Sequence, residues 1–175
     1  MPAPELKIQK WFNTNEDLTL AKLRGKVVVI EAFQMLCPGC VMHGLPLAKK
    51  IHASFPQDKV AVLGLHTVFE HHDAMTPVSL AAFLHEYRIN FPVGVDQPGT
   101  GPMPKTMASY RMRGTPSLIL IDKSGELRVN HFGDVSELFL GAEIATLLGE
   151  THVQANSDTS EDDVSAVCDE TGCTV

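Results

Sequence analysis

The stretch "KVVVIEAFQMLCPGCVMHGLP", residues 26–46, decides how this chain folds. Val27–Ile30 with Ala32 and Phe33 form a continuous apolar run rich in β-branched residues. That is the pattern of a central strand buried on both faces. Cys37 and Cys40 follow, separated by Pro38 and Gly39. Beyond them Val41, Leu45, Ala48, His52 and Phe55 recur at helical spacing, and Pro38 suits the first turn of a helix. Pro46 falls inside that helix and is expected to kink it, because it removes a backbone donor. Glu31 stands out as the one charge in the apolar run. The flanking residues predict that it is buried rather than solvated at a strand end.

Working outward, residues 5–12 and 18–20 are expected to form short strands around the polar turn "NTNED". "KVAVLGLHTV" reads as the next strand. "TPVSLAAFLHEYRIN" reads as a helix capped by Thr76, with Pro77 at its first position and Leu80, Phe83, Leu84 and Tyr87 on one face. "FPVGVD" is a short strand, "QPGTGPMP" a loop and "KTMASYRM" a short helix. "SLILIDKSGELRVNHF" reads as a hairpin, and "VSELFLGAEIATLLG" as a closing helix. Strands alternating with helices, then a hairpin, predict an α/β fold with a mixed sheet.

The chain has 175 residues, and its net charge of −7 is uneven. The last 25 residues carry six acidic residues and no Lys or Arg, which leaves the body close to neutral. Residues 1–149 are expected to form one domain and residues 150–175 an acidic, mobile tail. A near-neutral body beside an acidic tail argues against a nucleic-acid partner. No apolar run is long enough to span a membrane. "MPAPELKIQKWF" lacks the apolar core of a secretory signal, so the expected setting is cytoplasmic, or periplasmic if a signal was removed. Four cysteines are too sparse for a disulfide scaffold, so close pairs point to redox chemistry or a metal site.

Cys37 and Cys40 have a spacing that also serves zinc, with Cys168 and Cys173 or His71 and His72 as the missing half. About eighty residues after the pair, "YRMRGTPSLILIDKSGELR" places Gly114, Thr115 and Pro116 ahead of a hydrophobic strand. Strand, C-P-G-C at a helix start and Thr-Pro strand together resemble the thioredoxin superfamily, and in particular its TlpA/ResA-like redoxin branch. Residues 67–87 fit the insertion typical of that branch. The resemblance covers roughly residues 5–149 and weighs against zinc.

The resemblance implies a thioredoxin-like central mixed sheet flanked by helices, with an N-terminal β extension. It implies a thiol–disulfide oxidoreductase, in a reducing setting a disulfide reductase, with no cofactor and no metal. Its partners would be a protein or small-molecule disulfide and a reductase or other dithiol donor. Pro116 is expected to be cis and to face the cysteine pair. Thr115, Pro116, Leu36, Pro38 and Gly39 would form the substrate surface. Cys37, at a helix N-terminus, would attack as the thiolate, and Cys40 would resolve the mixed disulfide. A buried Cys40 needs a base, and Glu31, six residues before Cys37, is the expected general acid/base. His43 lies one turn beyond Cys40. His66 and Glu70 follow a strand end and would line the groove. Arg111 and Arg113, ahead of the Thr-Pro strand, read either as a solvated surface or as a basic lip that steers acidic partners or helps hold a thiolate. Cys168 and Cys173 would be an auxiliary dithiol.

The chain departs from the branch at three places. Leu36 stands where Trp is usual, His43 where the haem-maturation members have Glu, and Pro46 one residue later than the usual helix proline. Two alternatives stay open. One is a redox or metal sensor that binds a partner without turnover. The other is a thiol peroxidase, although "EAFQMLC" lacks the Pro and Thr of the peroxidatic pattern.

Overall fold

The computed structural model describes residues 1–150. The acidic tail and Cys168 and Cys173 lie outside the described residues. Six strands form one sheet: β1 (Ile8–Phe12), β2 (Val27–Phe33), β3 (Val60–His66), β4 (Val93–Asp96), β5 (Ser117–Ile121) and β6 (Leu127–Phe132). Their order is β1-β4-β3-β2-β5-β6. β2 runs parallel to β3, and β3 parallel to β4. β1 joins β4, β5 joins β2 and β6 joins β5 in antiparallel pairing. The sheet is therefore mixed, with β2 near its centre.

All seven residues of β2 are buried, as a two-sided strand requires. Val27, Val29 and Phe33 enter one core with Cys40, Leu45, Leu80, Leu84 and Ile144. Val28, Ile30 and Ala32 enter the other with Leu63, Leu65, Tyr110 and Ile119. Burying a side chain of this size contributes about 1.5–3 kcal/mol, so β2 anchors both layers.

Among the described residues, four α-helices cover the sheet: α1 (Leu45–Ser54), α2 (Pro77–Glu86), α3 (Lys105–Ser109) and α4 (Glu137–Gly149). Thr76 caps α2 by accepting the Ser79 N–H, and Ser136 caps α4 through Phe139. α2 closes with Arg88 in the left-handed region, and α3 with Arg111, where glycine would be usual.

Two expectations need correction. Residues 18–20 form no strand; the segment turns, with Glu5 accepting the Leu20 N–H at 2.9 Å. The helix after the cysteines is also not one kinked α-helix. Cys40–Gly44 forms a π-turn, and the Leu45 N–H reaches the Cys40 carbonyl five residues back. α1 then begins with Pro46 in its first turn, where a missing N–H leaves no bond broken. The extra residue of the π-turn accommodates the proline without a break inside α1.

At the other end of the sheet the β5–β6 turn is organised by Asp122. Its carboxylate accepts the Ser124 N–H at 2.9 Å, the Ser124 hydroxyl at 2.7 Å and the Glu126 N–H at 3.0 Å, and pairs with Arg128 at 3.1 Å.

Candidate active site

The chain leaves β2 at Phe33, and Gln34 makes the bend. Its carbonyl accepts the Cys37 N–H at 3.2 Å. Cys37 lies at the start of the following helical segment, its carbonyl accepting the Val41 N–H at 3.1 Å. The Cys40 N–H points at Cys37 Sγ, 3.4 Å away, a helix-start donor placed to solvate a thiolate. Cys37 Sγ in turn donates to the Thr115 carbonyl at 3.5 Å. Both thiols are free, Cys37 half-buried and Cys40 fully buried. Burial pushes the Cys40 thiol far up, and its hydrogen bond with Cys37 adds to this. The Gln34 backbone and the Thr115 side chain pull weakly the other way. Of the two sulfurs, only Cys37 is open to a large substrate.

Glu31 lies beneath them at 1 % exposure, on the face that carries the π-turn. Its Oε1 has no hydrogen-bond partner. The carboxyl fits only because residue 44 is glycine. A Cβ there would collide with Oε1, lie 2.8 Å from Glu31 Cδ and 3.2 Å from Pro116 Cβ. Burial, and then the charge of Cys37, raise the Glu31 carboxyl well above the usual carboxylate range. The site thus holds a buried acid and a buried thiol that both favour their protonated forms, the acid within reach of the Cys37 charge.

The opposite wall is Thr115–Pro116, joined by a cis peptide bond. A Cβ on Gly39 would lie 3.2 Å from Pro116 Cδ, so the C-P-G-C turn packs directly on that ring. Gly133 donates to the Pro116 carbonyl at 2.9 Å and fixes the loop from behind. Leu36 is 57 % exposed, and Pro38 and Phe132 are exposed as well, which gives the mouth an apolar rim.

The structure thus gathers Glu31, Leu36, Cys37, Pro38, Gly39, Cys40, Thr115 and Pro116 at one end of the sheet. His43 is exposed on the π-turn. His66 does not line the groove, which corrects the sequence-based expectation. It is 1 % exposed, lies against Phe33 with ring centroids 5.3 Å apart, and its Nε2 has no partner. The face of β3 that carries it is inside the first core. Burial drags its imidazole down to about 4. Glu70 is exposed and held beside the site: its Oε1 accepts from Gln34 Nε2 at 3.2 Å.

Sequence reasoning missed Gln34. Fully buried, it holds the Cys37 N–H with its backbone, and the Phe69 N–H (3.1 Å) and Glu70 with its side chain. A polar residue at the end of an apolar strand was the only signal. Asp96 was missed for the same reason. Buried at the end of β4, it accepts the Thr106 and Met107 N–H groups at 2.8 and 2.9 Å and the Thr67 hydroxyl at 3.0 Å, so it caps α3.

A mixed sheet with a reduced C-P-G-C pair against a Thr-Pro loop defines the thioredoxin superfamily, redoxin branch. The AhpC/TSA family model matches residues 1–130, and the chain belongs to that family. It is 32 % identical over 135 residues to the protein DipZ of Mycobacterium tuberculosis, covering 75 % of this chain but only 18 % of DipZ. Among solved structures it is similar to the thioredoxin-like superfamily protein SPOA0173, with 80 % identity, a TM-score of 0.85, and coverage of 86 % of this chain and 98 % of the other. It is also similar to a thiol-disulfide isomerase from Corynebacterium glutamicum, with 53 % identity, a TM-score of 0.83, and coverage of 86 % and 97 %.

Proposed function

We propose that the protein is a thiol–disulfide oxidoreductase working as a disulfide reductase. One observation carries the reading: a half-exposed sulfur with a helix-start N–H aimed at it shares its site with a buried thiol and a buried carboxyl that has one oxygen unpartnered. The similarity to the thiol-disulfide isomerase from Corynebacterium glutamicum supports the same chemistry.

Cys37 thiolate attacks one sulfur of a substrate disulfide. A Cys37–substrate bond forms, the substrate S–S bond breaks, and the other substrate sulfur leaves as a thiolate that takes a proton from water. The mixed disulfide removes the Cys37 charge that helps hold the Glu31 proton, so Glu31 gives that proton to solvent, and its carboxylate then takes the Cys40 proton. Cys40 attacks Cys37 Sγ, the Cys37–Cys40 bond forms, and the second substrate thiolate leaves and is protonated. Two electrons pass to the substrate. A reductase or other dithiol donor returns them and restores the pair. A reducing, cytoplasmic-type setting favours this direction. The Thr115 backbone and the Pro116, Leu36, Pro38 and Gly39 surface would seat the substrate. His43 would assist a thiolate from the rim, and Cys168 with Cys173 would serve as an auxiliary dithiol.

The test is steady-state reduction of insulin with dithiothreitol as donor. The proposal expects repeated turnover that Cys37→Ser abolishes. A single stoichiometric reaction with no turnover would replace the enzyme by a sensor. Faster consumption of hydrogen peroxide than of disulfides would replace it by a peroxidase.

A further inference from the structure

The mouth of the site carries one fixed charge of each sign on opposite sides of Cys37. On the β3 side is Glu70. It is exposed, yet one oxygen is held by the buried Gln34 amide, which is itself anchored to the Phe69 N–H. On the β5 side is Arg113. It is exposed, and its guanidinium lies over the Phe132 ring, 5.1 Å from the centroid. Phe132 is fixed in turn: a Cβ on Gly114 would lie 2.8 Å from Phe132 Cε2, and Ser117 is its cross-strand neighbour. β3 and β5 flank β2 on opposite sides, so Glu70, just past the end of β3, and Arg113, just before the start of β5, leave the sheet on either side of the end of β2 that leads into Cys37.

Neither side chain has an ion-pair partner among the described residues, whose ion pairs all lie elsewhere. Exposed long side chains normally keep their rotamer freedom, because ordering them costs entropy. Here a buried amide orders one and an aromatic ring the other, so the next charge to arrive meets groups already in place. Asp73 shares the Glu70 loop, while Arg111 shares the Arg113 segment with no acid nearby in sequence.

We propose that Glu70 and Arg113 determine substrate specificity, selecting a polypeptide disulfide whose cysteine has a cationic residue on one side and an acidic residue on the other, in one order. This rests on the reductase reading. It adds that the substrate is an oriented polypeptide strand and that Gln34 acts as a positioning residue for Glu70.

Three peptides test it, each with its cysteine joined to a chromogenic thiol: Lys-Cys-Glu, Glu-Cys-Lys and Gln-Cys-Gln cores in an otherwise neutral chain. The readout is the ratio of kcat/KM for the first two, measured within each protein, so folding losses cancel. The full chain is expected to prefer one order by about tenfold at low salt, from two exposed pairs of about threefold each. The preference should shrink as salt rises. The Glu70→Lys, Arg113→Glu double variant should reverse it. Gln34→Ala should reduce it by releasing Glu70, with KM for the preferred peptide rising more than kcat falls. Equal rates for the two orders, or an order preference unchanged in the double variant, would overturn the proposal. Failure of the full chain to reduce even the Gln-Cys-Gln peptide would overturn the reductase reading instead.

Discussion

Glu31 and Asp122 are both buried carboxylates, set toward opposite ends of the same sheet, and their surroundings differ in nearly every respect. Burial works to raise both. At Asp122 it is overcome by hydrogen bonds from Ser124, Glu126 and Arg128, which hold the carboxyl down at about 2. At Glu31 no donor opposes it, one oxygen has no partner, and the carboxyl stays well above its ordinary value. A satisfied buried charge organises a turn. The unsatisfied one lies close enough to Cys37 to feel its charge, at the site where the proposed chemistry has to move a proton.

The largest expected effect breaks the comparison at Glu31. Glu31→Gln keeps the shape but cannot exchange a proton. Release of the Cys37 mixed disulfide should slow about a hundredfold, while the first attack by Cys37 stays nearly intact. Rapid-quench trapping of the mixed disulfide reads both steps. Next comes Asp122→Ala, which orphans several donors at once. It should lower unfolding free energy by about 2–3 kcal/mol in urea titrations. Turnover at the distant cysteine pair should stay within about twofold. Gly44→Ala pushes a methyl group into the Glu31 carboxyl and the Pro116 ring. It should cost about 1–2 kcal/mol, and unlike Asp122→Ala it should also slow the resolving step.

The pH dependence of stability sharpens the contrast, because the two groups act with opposite sign. Asp122 is depressed in the folded state from 3.8 to about 2, so its contribution is complete above 3.8 and is lost as pH falls through that window. Glu31 is raised when folded, so its cost grows as pH climbs above 4.5 toward its folded value. Glu31→Gln should therefore gain stability relative to the parent as pH rises through that range. The smallest expected effect belongs to His66. It is depressed from 6.5 to about 4, so stability is lost as pH falls between those values. His66→Leu should remove that slope and change neutral-pH stability by no more than about 1 kcal/mol.

The strands and most helices were legible because their signals are local and strong. The Val-rich run of β2 can be buried only on both faces, and Thr76-Pro77 marks a helix start by cap chemistry alone. The cysteine pair and the Thr-Pro strand were legible as a spacing, and Glu31 as a charge in an apolar run. What escaped depended on contacts distant in sequence. His66 looked like part of a polar loop because nothing local says that Phe33 and the first core enclose the end of β3. The π-turn escaped because Gly44 packs against Glu31 and Pro116, contacts no helical period encodes. Gln34 and Asp96 act by gathering backbone donors from other segments, so a linear reading passes over them.

The most direct test of the Glu31 account is a 13C NMR titration of its carboxyl carbon in the reduced protein. A midpoint well above 4.5, moving when Cys37 is replaced by Ser, is the predicted result. A midpoint at or below 4.5 would mean an ordinary ionised carboxylate and would contradict its role in handling the Cys40 proton.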